Sequence, residues 1–228
     1  MNAITQFDFS VLNFIQNHWQ CEFLDVVMPF ITTLGDMGFI WILTSVVLLF
    51  FKKTRMLGIQ LLISIVFAFV VYQCILKPVI ARPRPFVQNP DFSLLIKAPK
   101  DFSFPSGHTA CGFSFVVILF LAKNKWWIPS LVLACLIGFS RLYLYVHFPT
   151  DVLCGAICGT IFGGISFYFS KKLLGVLGPA RQICRRNFYT VGSFFHDSRK
   201  TACFFQLPVI VKITQLDIDL SVYSRFCR

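Results

Sequence analysis

Charge is what this chain has least of. Only 14% of its 228 residues are Asp, Glu, Lys or Arg, against 56% hydrophobic ones. A mean hydropathy of +0.71 excludes an ordinary soluble domain of this length. Acids are scarcer than bases, 10 against 21, and no cluster of Asp and Glu offers the ligands that two-metal chemistry needs. The nine cysteines include no C-x-x-C pair. Cys74, Cys111, Cys135, Cys154 and Cys158 fall inside apolar runs, where a thiol behaves as a small hydrophobe. Neither a disulfide framework nor a zinc site follows. A cleavable secretory signal is also lacking, because "MNAITQFDFSVLNFIQNHWQ" has no basic start and no continuous apolar core. Residues 1–22 are therefore expected to be retained as an amphipathic interfacial segment.

What the chain has instead is long apolar runs: Gly38 to Phe51, Met56 to Leu76, Thr109 to Ala122, Trp126 to Phe139 and Val152 to Phe169. A spanning helix needs about 20 residues, so the shorter runs must borrow from their flanks: the third can begin at Ser106, and the fourth can continue through Arg141 to Val146. A sixth candidate, Phe23 to Leu34, is too short to span alone and contains Pro29; it is either interfacial or the start of a broken first span. The expectation is an all-α polytopic membrane bundle of five to six transmembrane helices over residues 23–170. Behind it comes a basic tail, residues 171–228, with ten Lys or Arg against three Asp. A net charge of +11 raises nucleic acid as a partner, but the apolar segments carry almost none of it. A basic tail after a span faces anionic headgroups more naturally, so membrane lipids are the expected partners and nucleic acid is not. Nothing in the sequence sets an oligomeric state.

The short basic connections "KKTR" (Lys52 to Arg55) and "KNK" (Lys123 to Lys125), with "KK" (Lys171, Lys172) at the start of the tail, belong in the cytoplasm by the positive-inside rule. The two intervening loops, Lys77 to Pro105 and Ser140 to Thr150, must then both face outward. They hold nearly all the remaining unusual polar residues.

The first outward loop opens "KPVIARPRP", which sets Lys77, Arg82 and Arg84 among three prolines. Taken alone this is a basic cluster snorkelling to headgroups. On the outward side, however, it breaks the charge rule and needs a local reason, such as an anion to bind. The loop closes "FPSGHTACGF". There Ser106 is a candidate N-cap and Gly107 admits close approach to a helix N-terminus whose amides suit phosphate; His108 sits in the first turn. Ser-Gly-His reads equally well as ordinary capping beside a surface histidine. In the second loop, Arg141, His147 and Asp151 stand close in sequence. A carboxylate that orients an imidazole prepares a nucleophile or a base, but Pro149 disfavours helical geometry at Phe148. The spacing of four therefore does not by itself bring His147 to Asp151. One histidine per loop permits a division of labour, one attacking and the other protonating a leaving group. Cations at 77, 84 and 141 would neutralise a tetrahedral anion. Such chemistry needs neither metal nor cofactor.

Three fragments together resemble the signatures of the type 2 phosphatidic acid phosphatase superfamily: Lys-x6-Arg-Pro in "KPVIARPRP", "PSGH", and Ser-Arg-x5-His-x3-Asp in "SRLYLYVHFPTD". The resemblance covers roughly Leu24 to Phe169, and the opening is similar to small bacterial members. It implies that His147 attacks phosphorus to form a phosphohistidine, that Asp151 orients it, and that His108 protonates the leaving oxygen. Lys77, Arg84, Ser106, Gly107 and Arg141 would cradle the phosphoryl oxygens of a lipid phosphate or diphosphate at the outer face of the cell membrane. Undecaprenyl diphosphate is the favoured substrate; phosphatidylglycerol phosphate and phosphatidate stay open, as does transfer to an acceptor other than water. A non-catalytic transporter of anionic lipid would use the same cations but would not need His147. Arg82 lies outside the signatures and is left a structural or headgroup role. His196 has no partner signature, and the tail after about Leu177 resembles nothing in the family.

Overall fold

The computed structural model describes the backbone of residues 3–197 and the side chains of residues 3–173. The expectations for the tail and for His196 lie outside the described side chains. The chain divides into two units, Met1–Val176 and Leu177–Arg228, and every side chain discussed below belongs to the first.

The described residues form helices and connections without strand. An N-terminal helix, α1 (Ala3–Trp19), precedes α2 (Glu22–Gly35), a single tight turn at Asp36–Gly38, and α3 (Phe39–Phe50). Next come α4 (Arg55–Phe69), a stretch of wider π-type turns (Val70–Leu76), and two one-turn helices, α5 (Lys77–Ile80) and α6 (Pro85–Gln88). α7 (Gly107–Leu121), α8 (Trp127–Tyr143) and α9 (Pro149–Asp197) complete the order. Among the described residues, three stretches are long and apolar enough to cross a membrane: Glu22–Phe50, Arg55–Gln88 and Pro149–Leu173. Gly107–Leu121 and Trp127–Tyr143 are shorter apolar helices.

Two apolar runs that the sequence keeps apart, Phe23 to Leu34 and Gly38 to Phe51, thus join in one broken stretch. The break is not at Pro29, which lies inside α2. It falls at Met37 and Gly38, which take left-handed φ values of 51° and 72°. Lys77 likewise continues a helix, although Pro78 follows it. The Lys77 amide reaches back five residues to the Tyr72 carbonyl; this wider turn relieves the crowding that a proline ring imposes on the preceding turn.

The core is built of Trp41 from α3, Leu61 and Ile65 from α4, Ala110, Phe115 and Ile118 from α7, and Ala134 and Ile137 from α8. α9 meets α7 through a stripe of small residues. Gly155, Gly159 and Gly163 lie so close to α7 that an added Cβ would stand 2.7, 2.3 and 2.7 Å from the carbonyl oxygens of Ser106, Ala110 and Ser114. Helices in lipid gain little from hydrophobicity when they pack together, and small residues let their backbones approach. This approach sets the start of α9, and Asp151 with it, beside the start of α7.

Candidate active site

Two loops meet at one end of the bundle. Arg84 of the first donates from Nη1 to the Val146 carbonyl of the second at 2.7 Å. The Ser106 amide, at the start of α7, donates to the Asp151 carbonyl at 3.1 Å.

His147 sits just before α9, where a left-handed residue, Tyr145 (φ 58°), turns the chain back over α8. The ring is buried. Its Nε2 is 3.2 Å from Arg84 Nη1. A guanidinium can only donate, so Nε2 accepts and the ring proton resides on Nδ1. Nδ1 faces Asp151 Oδ2 at 3.7 Å, too far for a direct hydrogen bond. Ser103 stands between: its hydroxyl donates to Asp151 Oδ2, and its oxygen is 3.5 Å from Nδ1. Burial lowers the His147 pKa below its ordinary value, and the cations Arg84 and Arg141, with His108 and Lys77, push it the same way. The ring is therefore neutral at pH 7, with the lone pair on the nitrogen that faces Arg84.

Asp151 is fully buried in the first turn of α9, where a carboxylate suits the helix dipole. It accepts from the Phe148 amide at 3.0 Å, from Ser103, and from Arg82 Nη1 at 2.6 Å. The other arm of Arg82, Nη2, reaches Asp8 of α1 at 2.6 Å, while its guanidinium carbon lies 4.0 Å from the Phe148 ring centroid. Asp8 also accepts from the Thr150 hydroxyl (2.6 Å) and amide (3.1 Å). Arg82 thus joins two buried carboxylates.

The cations that the sequence singles out lie around this histidine. Lys77, Arg84 and Arg141 are all buried. Arg141 donates from Nη1 to Thr32 at 2.6 Å, while its Nε is buried without an acceptor among the described residues. An orphaned buried donor is costly unless an anion binds beside it. Ser106 holds the N-cap position of α7 in extended conformation, but its side chain makes no capping bond; its oxygen accepts from Thr109 instead, at 3.0 Å. The first-turn amides beside buried Gly107 are therefore not consumed by a side-chain cap.

Asp101 occupies the middle of this group. It pairs with Lys77 and with Arg84 Nη2 at 2.5 Å; Arg84 Nε also takes the Asp101 carbonyl at 2.8 Å. Burial alone would raise the pKa of this carboxyl, but the Lys77 hydrogen bond and the charges of Arg84 and Lys77 outweigh it and hold the value at about 2. His108, in the first turn of α7, bonds through Nε2 to Asp36 Oδ1 at 2.8 Å.

The structure therefore brings Lys77, Arg84, Arg141 and His108 within electrostatic reach of His147, with Asp151 behind it. Sequence reasoning missed Ser103, Asp101, Asp36 and Asp8, and it gave Arg82 too little. A lone carboxylate in an apolar run, as at Asp36, was the signal available for one of them. Among the described residues no group of three His, Cys, Asp or Glu could hold a metal ion.

Residues 57–174 match the PAP2 superfamily. An undecaprenyl-diphosphatase of Sulfolobus acidocaldarius is 40% identical over 169 residues, covering 73% of this chain and 78% of that protein. The crystal structure of a transmembrane PAP2-type phosphatidylglycerolphosphate phosphatase from Bacillus subtilis aligns with a TM-score of 0.63 and 31% identity, over 75% of this chain and 88% of that one. That of Aquifex aeolicus LpxE aligns with a TM-score of 0.61 and 31% identity, over 70% and 94%.

Proposed function

The chain belongs to the PAP2 superfamily and is a hydrolase of phosphoric esters, and on that premise we propose that it removes a phosphoryl group from a lipid diphosphate at the outer face of the membrane by way of a phosphohistidine. The observation that carries this reading is the Arg84–His147 contact: a neutral imidazole presents its Nε2 lone pair to a cation suited to phosphoryl oxygens. Nε2 of His147 attacks phosphorus. The proton on Nδ1 and the positive charge that develops on the ring are held through Ser103 and Asp151. Lys77, Arg84, Arg141 and the amides at Ser106 and Gly107 stabilise the oxygens as the charge spreads over them. His108 gives a proton to the departing oxygen, and water then releases phosphate with His108 as base. No step calls for a metal.

Five spans fit this reading, with Gly107–Leu121 and Trp127–Tyr143 added to the three long stretches. The basic turns at 52–55 and 123–125 close the end of the bundle opposite the site loops, which supports an outward site by the positive-inside rule. α1 lies at the outward end, with Ile4, Phe7 and Phe14 exposed, as suits a helix lying at a lipid interface. The name of the Sulfolobus relative supports undecaprenyl diphosphate as the substrate.

The test is phosphate release in detergent, with EDTA present, from undecaprenyl diphosphate, phosphatidylglycerol phosphate and phosphatidate, comparing wild type with His147→Ala. The proposal expects activity in EDTA, strongest on the diphosphate and abolished by the substitution. Activity that survives His147→Ala would sink the mechanism, and preference for a monoester would change the substrate.

A further inference from the structure

Asp36 is an ionised group inside a stretch long and apolar enough to cross a membrane, where such a residue is costly without a partner and a use. It sits at the break between α2 and α3, and the two left-handed residues that follow it, Met37 and Gly38, hold the backbone out of helix there. Irregular backbone at membrane depth persists where it serves a cavity or site. The residue before it, Gly35, is also constrained: a Cβ there would stand 2.8 Å from Cδ2 of His108 and 2.9 Å from Cγ2 of Ile137. Gly35 thus admits the His108 ring, and Asp36 Oδ1 takes its Nε2 at 2.8 Å. An ionised carboxylate only accepts, so Nε2 carries the hydrogen of this bond and Nδ1 is the nitrogen left to exchange a proton with a reactant. The family signatures give a carboxylate to His147 and none to His108.

Asp36 also lines a groove with Met37, Phe39, Ile42, Leu43 and Val46, a side on which Phe39 and Leu43 are exposed. The Asp36–His108 pair thus adjoins an apolar face suited to the hydrocarbon of a lipid substrate.

We propose that Asp36 is a positioning residue for leaving-group departure, holding His108 by Nε2 so that Nδ1 delivers the proton to the oxygen that carries the lipid. This rests on the phosphohistidine reading above. In the first half-reaction the His147 Nε2–P bond forms and the P–O bond to the leaving group breaks, at the bridging oxygen of a diphosphate or the ester oxygen of a monoester. The bonding pair goes to that oxygen together with the proton from His108 Nδ1. In the second half, Nδ1 takes a proton from water as its oxygen bonds to phosphorus. The P–N bond then breaks, its electron pair returns to Nε2, and phosphate leaves. Arg141 and Lys77 oppose a charge on His108 and Asp36 favours one; Asp36 is the counter-ion of the imidazolium, which forms as the bound substrate anion offsets those cations and which the first step consumes.

The test compares two leaving groups on the full chain in detergent. Dodecyl phosphate departs as an alkoxide and needs the proton; p-nitrophenyl phosphate departs as a stable anion and does not. Asp36→Asn should lower kcat/KM, which reports only the steps up to leaving-group departure, by about ten- to a hundredfold on dodecyl phosphate, a fraction of what general acid catalysis supplies, and should leave kcat/KM on p-nitrophenyl phosphate within about threefold. Asp36→Glu should recover part of the loss, and adding Asp36→Asn to His108→Gln should cost nothing more. The p-nitrophenyl activity itself reports that the variant is folded. Equal losses on both substrates, or additivity with His108→Gln, would overturn the role of Asp36. A wild type that releases no phosphate from either substrate or from undecaprenyl diphosphate would overturn the phosphatase reading instead.

Discussion

Arg84 Nη1 stands 3.2 Å from His147 Nε2, and the same guanidinium donates to the Val146 and Asp101 carbonyls and to the Asp101 carboxylate. Its plane is fixed by four acceptors from two loops. A lysine could keep the charge but not this fork. Arg84→Lys should therefore lower kcat/KM by about 10²-fold or more, comparable to loss of one transition-state donor. Phosphate release at matched protein concentration measures it.

The lowered pKa of His147 sets a pH signature. The neutral ring persists below the ordinary value of about 6.5, so loss of the proposed nucleophile on acidification should come below that pH. The stability linkage has the same direction. A folded-state pKa below the unfolded one means that stability is full above about 6.5 and is lost as pH falls toward the folded value. Nitrogen-15 spectra of histidine-labelled protein, with His147→Gln for assignment, should show no titration of His147 between pH 7.5 and 6.5. A midpoint in that range would contradict the assignment.

Asp101 lies on two of the cations proposed to hold phosphate, and with its pKa at about 2 it stays ionised at any working pH. A phosphoryl group bound there meets a like charge. Asp101→Asn should therefore tighten inhibition by inorganic phosphate, by about tenfold for each 1.4 kcal/mol of repulsion removed. Weaker inhibition would make Asp101 part of the anion site and not its competitor.

Removing Arg82 would leave Asp8 and Asp151, both fully buried, without their shared cation. Arg82→Met should destabilise the protein by about 3–5 kcal/mol, the range for breaking one side of a buried ion pair. It should also depress kcat through Asp151. Adding Asp8→Asn to Arg82→Met should restore part of the thermal stability, since it removes one of the stranded charges.

The glycines of α9 provide a paired test of packing. Gly159→Ala places a methyl group 2.3 Å from the Ala110 carbonyl, whereas nothing lies within 4 Å of a Cβ at Gly164. The first should cost about 1–3 kcal/mol through overpacking. The second should cost nothing and should gain some helix propensity. Thermal unfolding in detergent separates the two.

The residues legible in the sequence were those that carry a spacing: cations among prolines, Pro-Ser-Gly-His before an apolar run, and Ser-Arg followed by His and Asp. Their supports were not legible, because each is one polar residue whose partner lies far along the chain. Ser103 meets Asp151 48 residues on, and Asp36 meets His108 72 residues on. Arg82 showed as a cation, but its use depends on Asp8, 74 residues earlier. The all-helical class followed from the apolar runs. The union of the two earliest runs did not, because it depends on Met37, whose left-handed backbone no residue preference announces. Pro29 was the more visible breaker and breaks nothing. The doubt about His147 and Asp151 had a sound physical basis: they are 3.7 Å apart, and Ser103 is what connects them.

The bridge from Asp8 also orders biosynthesis. Its partners, Arg82 and Thr150, are made 74 and 142 residues later, so the network around this carboxylate is complete only once the start of α9 has been translated. α1 can dock fully only after that point. Its docking is the closing event of assembly, and it completes the hydrogen bonding behind His147 only once every span is in place.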